Sequence, residues 1–442
     1  MQQNNTSTQE PLEALIGYIN TAPGLVGGIA RQIYEQLDTE QPGIALSTAL
    51  SFIAALKCRR IIDGNLCPNL YTLSIAPSGV GKTTAQHIIS DMCSNCGLNS
   101  LLMGRPASDS GILKRLQTTP RQFLIWDEFG LAFSEMTQSQ ISYRVAIIET
   151  IMDLFSASGR VHIGKEYANQ ERIDIVDPAL SICAASTPDR FFDALNKNFV
   201  TDGFLGRWLI FPPEDSLKFK DIKKQNVDFS SEILAIENIG ADDSLPGNLS
   251  RVMTPKKVNL KINEELRVAV KSFFQSKSGL AKSSLEQALW RRGNEQVLKL
   301  CMIVADIDGN CSDQDLAWCW GLVKNLIARI AQKCETEICS TKSDKAAIER
   351  AEKFKMLIEP GQRLSKADLT RAAGGRGYGR QEREWRTKDL LESGEWAEQV
   401  VKSDKSKRIT TFYFNSSKVY SGKKQNYKPL NDLTILNDSD FS

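Results

Sequence analysis

Apolar residues recur at helical spacing through the first sixty positions. Leu12, Leu15, Ile16 and Ile19 share one face, Ile29, Ile33 and Leu37 a second, and Leu46, Leu50, Ile53 and Leu56 a third. That period predicts helices over 11–20, 24–38 and 43–57, a helical collar spanning 1–60. From about residue 68 the pattern changes. Strand-like, largely apolar runs at 70–75, 123–126, 180–185 and 206–211 alternate with helical stretches at 82–92, 109–117 and 141–155. Buried strands alternating with helices predict an α/β parallel sheet over 61–215. Residues 101–103 predict a weak strand, and 161–175 a hairpin. The stretch 214–256 is polar and predicts only a connection. Helical periods return at 264–274, 284–307 and 313–339, so 216–340 reads as connection and helical lid. A separate small domain is expected over 341–415, and a flexible polar tail over 416–442.

The chain has 442 residues, 41% hydrophobic and 24% charged. These values suit a globular protein of two or three domains. No apolar run reaches the roughly 20 residues a bilayer span needs. The polar start carries no signal-peptide pattern. A cytoplasmic protein with no membrane partner is therefore expected, with its ten cysteines reduced. Only His87 and His162 are present, which argues against a histidine metal centre. Cys93 and Cys96 lack the second pair that structural zinc requires, and Gly97 suits a helix end there. The net charge of +2 means that any nucleic-acid surface must be local.

The chain is organised around Ala76, Pro77, Ser78, Gly79, Val80, Gly81, Lys82, Thr83 and Thr84. A strand, a Gly-rich turn and a helix start make the context of a phosphate-binding loop. Glycines let successive N–H groups face an anion, and the new helix adds its dipole. Lys82 would reach the β/γ-phosphates of ATP, and Thr83 would hold Mg²⁺. About 45 residues on, Asp127 and Glu128 end the run 123–126. That places two carboxylates at the ligand-binding edge of an α/β sheet. Asp127 would complete the Mg²⁺ shell and Glu128 would orient the attacking water. A solvated acidic turn is the plain alternative. Ser186 and Thr187 end the next run, where a hydroxyl meets the γ-phosphate or simply finishes a strand. Arg207, before the run 206–211 closes, either reaches a neighbouring subunit's γ-phosphate or makes a surface salt bridge.

In order, these residues resemble the ATPase module of phage and mobile-element primase–helicases, related to the superfamily 3 and MCM-like AAA+ helicases. The resemblance covers about 45–310. It implies an AAA+-like P-loop NTPase core of the ASCE type in a hexameric, DNA-translocating ATPase. It implies that Arg207 is an arginine finger acting in trans and that Ser186 and Thr187 sit at the sensor. Arg291 or Arg292 would be the second sensor in the helical lid, Arg292 touching nucleotide. The hairpin bearing Arg160, His162 and Lys165 would project into the ring channel, with Lys165 on single-stranded DNA. A solvated turn lysine is the alternative there. No primase signature is present, so a primase or other replication protein would be a partner.

The small domain reads as a winged helix. Helices are expected at 346–357, at 366–372 capped by Ser365, and at 380–391. The last carries Arg380, Arg383, Arg386 and Lys388. Strands 399–401 and 409–414 would flank a wing that includes Lys405 and Lys407. Residues 361–425 hold 15 Lys and Arg against 8 Asp and Glu, a local +7. That concentration predicts a DNA surface, with a duplex origin as one target, and a protein-interaction domain as the alternative. The combined expectation is a Mg²⁺-dependent ATP hydrolase acting as a replicative DNA helicase. The rival is a DNA-binding AAA+ loader, initiator or regulator that does not unwind.

Overall fold

A five-stranded parallel sheet carries the chain's geometry, with spatial order Leu102–Met103, Arg121–Trp126, Ala179–Ser186, Tyr71–Ile75, Trp208–Phe211. It belongs to a computed structural model that describes residues 14–138, 142–166, 172–194, 203–214, 217–223, 227–241, 256–281, 284–338, 350–351, 353–359, 362–392, 396–402 and 409–415. The chain divides into two units, Met1–Ile338 and Cys339–Ser442. Among the described residues, no helix is long and apolar enough to cross a membrane.

The strands Tyr71–Ile75 and Ala179–Ser186 are buried at every position. A strand covered on both faces needs apolar or small residues throughout, hence unbroken rather than alternating runs. Register matters more for function. Ile75 lies opposite Ser186 and Trp126 opposite Ala184, so three strands end together. Whatever follows Ile75, Trp126 and Ser186 must gather at one edge.

The three N-terminal helices are Leu15–Thr21, Gly24–Gln36 and Pro42–Lys57. The third is buried along its whole length, which its run of Ala, Ser and branched residues permits. It packs on Tyr71–Ile75 and Ala179–Ser186. One hydrophobic core runs from Leu15 to Cys334, so collar, sheet and lid share an interior. Two buried lysines cross it. Lys57 donates to the carbonyls of Ile303, at 2.7 Å, and Ala305. Those carbonyls end the helix Gly293–Val304, where a cation complements the dipole. Lys299 donates to the main-chain and side-chain oxygens of Asn69, both at 2.7 Å, and lies 3.9 Å from the centre of the Phe155 ring.

Two stretches differ from the periodicity. The helix expected over 284–307 is broken at Arg292 into Ser284–Arg291 and Gly293–Val304. A Cβ on Gly293 would lie 2.1 Å from the Phe274 ring, so the break admits a close crossing. The polar connection holds a helix, Ser230–Glu237. Its Glu237 is buried between Arg60 (2.9 Å) and Arg121 (2.8 Å). The expected hairpin is present as Val161–His162 paired with Ile175–Val176.

The second unit is built on an antiparallel sheet, ordered Arg363–Ser365, Ile409–Asn415, Trp396–Lys402. Helices Lys366–Gly375 and Arg380–Glu392 pack with it around Phe354, Leu369, Ala373, Tyr378, Trp396 and Tyr413. Ser365 caps the first by accepting from the Asp368 N–H at 3.2 Å. The strand Arg363–Ser365 has no periodic signal in so short a stretch. The expected tail, Lys405 and Lys407 lie outside the described residues.

Candidate nucleotide site

The turn from Tyr71–Ile75 into the helix Lys82–Asn95 passes through Gly79 at φ 78° and Gly81 at φ 89°. Both values lie in the left-handed region that favours glycine. Gly81 has a second constraint: a Cβ there would lie 2.5 Å from Leu37. The collar also holds the turn from below, since Thr39 Oγ1 donates to the Val80 carbonyl at 3.2 Å. Pro77, Ser78 and Gly79 are exposed, as are Thr83 and Thr84 in the first helical turn, while Val80 is buried. No acidic side chain occupies that first turn, so its positive end is uncompensated.

Lys82 folds back over the turn, its Nζ donating to the Ala76 carbonyl at 3.0 Å. Burial lowers its pKa, and the nearby charges of Asp127 and Glu128 pull it back up. The two acids therefore stand within electrostatic reach of the lysine, as the common strand edge requires. Asp127 accepts the Glu128 N–H at 2.9 Å. Glu128 has φ 54°, an uncommon backbone state for a non-glycine residue. Such strain costs on the order of 1–3 kcal/mol and concentrates at functional sites. The Glu128 carboxylate is exposed, with Arg190 3.9 Å away.

Ser186 is buried, and its hydroxyl donates to the Thr187 carbonyl at 3.0 Å. Thr187, half-buried, stands beside the turn. Ala76 N–H donates to the Ser186 carbonyl at 3.0 Å, tying the two strand ends together.

Arg207 is elsewhere. Its strand runs parallel to Tyr71–Ile75 with Trp208 opposite Tyr71, so Arg207 lies at the amino edge of the sheet. At about 3.3 Å per residue, the two edges are about 15 Å apart. Arg292 is at the same amino edge. Burial lowers the pKa of Arg207 and the Arg292 charge lowers it further, so the two guanidiniums stand within electrostatic reach of each other. Arg207 donates to the Gly203 carbonyl at 2.8 Å, and its Nε is buried without a partner. Arg292 pairs with Glu295 at 2.7 Å. A cavity of about 480 Å³ opens beside Arg292, lined also by Asn69, Phe155, Arg160 and Lys299. Neither arginine reaches the turn of its own chain.

The remaining expected residues are more occupied than a charge count suggests. Lys165 stands 3.6 Å from Glu149 and 3.9 Å from Asp109. Arg380 pairs with Glu384, Arg383 donates to the Tyr378 carbonyl, and Arg386 is buried against Glu382. Four residues escape a motif search: Leu37 and Thr39 beneath the turn, and Gly130 and Arg190 beside the acids. Arg190 alone carries a signal, following Thr187-Pro188-Asp189 directly after a strand end.

No protein-family model matches this chain, and no curated protein matches it.

Proposed function

We propose that the chain is an ATP-dependent DNA helicase that works as a homo-oligomeric ring, with an AAA+-like P-loop core, a helical lid and a winged-helix second unit. The supporting observation is the shared strand edge, where Lys82 stands within electrostatic reach of Asp127 and Glu128 at a glycine turn and Thr187 follows the adjoining strand end. The triphosphate of ATP would lie across residues 77–84, and Lys82 would exchange the Ala76 carbonyl for the β/γ-phosphates. Thr83 and Asp127 are hard oxygen donors of the kind Mg²⁺ takes, and they would hold that ion. The bound metal would neutralise charge on the phosphates. Glu128 would orient the attacking water, with Arg190 steadying its carboxylate.

The amino-edge placement of Arg207 and Arg292 favours action on a neighbour's nucleotide over their own. Ring assembly follows as part of the proposal. The second unit would hold DNA while hydrolysis moves the ring along one strand.

A forked-DNA strand-displacement assay tests the reading, run with ATP and Mg²⁺ on wild type beside Glu128→Gln. Displacement by wild type and none by the variant is expected. Normal ATPase and DNA binding without displacement would instead select a loader or initiator.

A further inference from the structure

Ion pairing in the second unit draws positive charge away from the helix that composition marks. Along Arg380–Glu392 each arginine is committed at short range. Arg380 meets Glu384 at 3.1 Å, and Arg383 donates to the Tyr378 carbonyl at 2.6 Å. Arg386, 9% exposed, meets Glu382 at 3.1 Å. Glu382 also binds Arg350 at 2.8 Å, and hydrogen bonds from Arg350 and Arg386 hold its carboxyl at about 2. The Arg350–Glu382 pair therefore stays ionised across the physiological range.

Another part of the unit has the opposite character. An open groove of about 700 Å³ is lined by Lys366, Ala367, Thr370, Arg371, Thr410 and Thr411. Two cations and three threonines line it, Thr370 already donating to the Lys366 carbonyl at 2.7 Å, and among the described residues no carboxylate does. Arg371 is 81% exposed, with Asp368 of its own helix 3.6 Å away. The strand Arg363–Ser365 pairs only with residues 412–414. On that flank residues 409–411 therefore have no strand partner among the described residues. An unpaired strand edge presents main-chain N–H donors. Cations, hydroxyls and main-chain N–H groups are what sequence-blind phosphate contacts use.

We infer that the phosphate backbone of a nucleic acid lies in this groove, held by Lys366 and Arg371, and that the helix Arg380–Glu392 is not its main contact. This rests on the reading of the second unit as the DNA-holding part. The local +7 of 361–425 favours a polyanion of many regular charges over an acidic protein segment.

The test uses full-length protein and fluorescein-labelled duplex and single-stranded DNA, by anisotropy at about 50 and about 200 mM salt. Lys366→Ala/Arg371→Ala should weaken binding about tenfold or more and make the salt slope shallower by about two. Arg380→Ala/Glu384→Ala should bind within about twofold of wild type, because it removes a pair of cancelling charges. Wild-type affinity in the first variant, with an unchanged melting curve, would overturn the inference. So would loss of labelled polyglutamate binding in that variant with DNA binding intact. Absence of DNA binding by wild type at both salts would sink the parent reading, a result distinct from either.

Discussion

Gly130 and Ser186 meet so closely that only a hydrogen fits between them: a Cβ on Gly130 would lie 2.1 Å from Ser186 Oγ and 3.1 Å from Arg190 Cβ. Gly130 follows the acids and Ser186 ends the adjoining strand. The contact therefore sets the spacing of two strand ends at the candidate site. Gly130→Ala should cost about 1–3 kcal/mol by overpacking. It should also reduce ATP turnover, since Ser186 or Arg190 must shift. Gly79→Ala is the control for stability alone, since residue 79 belongs to the proposed phosphate turn and its turnover should fall as well. Nothing lies within 4 Å of its Cβ position, so only its φ of 78° is strained, at about 1–2 kcal/mol. Urea denaturation and ATPase assays of both variants check this. Equal turnover in Gly130→Ala and wild type would contradict it.

The separation of Lys82 from Arg207 across the sheet makes a complementation experiment decisive. Lys82→Ala and Arg207→Ala should each be inactive alone. One keeps a good arginine and the other a good phosphate turn. Mixed subunits should regain activity at interfaces that combine the two, about a quarter of them under random mixing. Phosphate release measured across a titration of one variant into the other reads this out. A mixture as inactive as its components would remove action in trans.

Lys299 is held down to about 8, chiefly by burial. An unfolded lysine titrates near 10.4. Between those values the unfolded chain keeps a proton that the native side chain has lost, so this contribution to stability rises with pH. Below about 8 it is constant. Burial pushes the thiols of Cys58 and Cys67 up to about 12 and about 11, and they act in the opposite direction. The informative quantity is therefore a difference. Wild-type stability minus that of Lys299→Met should climb by at most about 3 kcal/mol from pH 8 to 10.4. Denaturant titrations at several pH values measure it, and parallel curves would refute it.

Local chemistry was readable in the residues and distant pairing was not. Gly79, Gly81 and Lys82 announce the turn because their constraints act within a few positions. The strands around residues 73, 124 and 182 announce themselves because burial on both faces demands largely apolar runs. By contrast, Ser230–Glu237 is short and flanked by polar sequence, and the reason for it lies in Arg60 and Arg121, far away in the chain. The arginines of Arg380–Glu392 suggest a basic helix only until its acids are counted: Arg380, Arg383, Arg386 and Lys388 stand against Glu382, Glu384, Asp389 and Glu392. The spacing of Glu382 to Arg386 and of Arg380 to Glu384 already allowed them to neutralise one another. Leu37 was marked only as one of a helical apolar series and Thr39 not at all, because supporting a turn from a neighbouring segment needs only size and one hydroxyl.

Lys57 fastens the end of the helix Gly293–Val304 to the helix Pro42–Lys57, and Lys299 fastens its middle to Asn69, two residues before the strand Tyr71–Ile75. To swing that helix as a flap would strip two buried ammonium groups of their carbonyl partners, at several kcal/mol apiece. Residues 42–57, the sheet and Gly293–Val304 are thus riveted together. A motor built from this chain would gain its stroke by tilting whole protomers against each other, not by bending inside one.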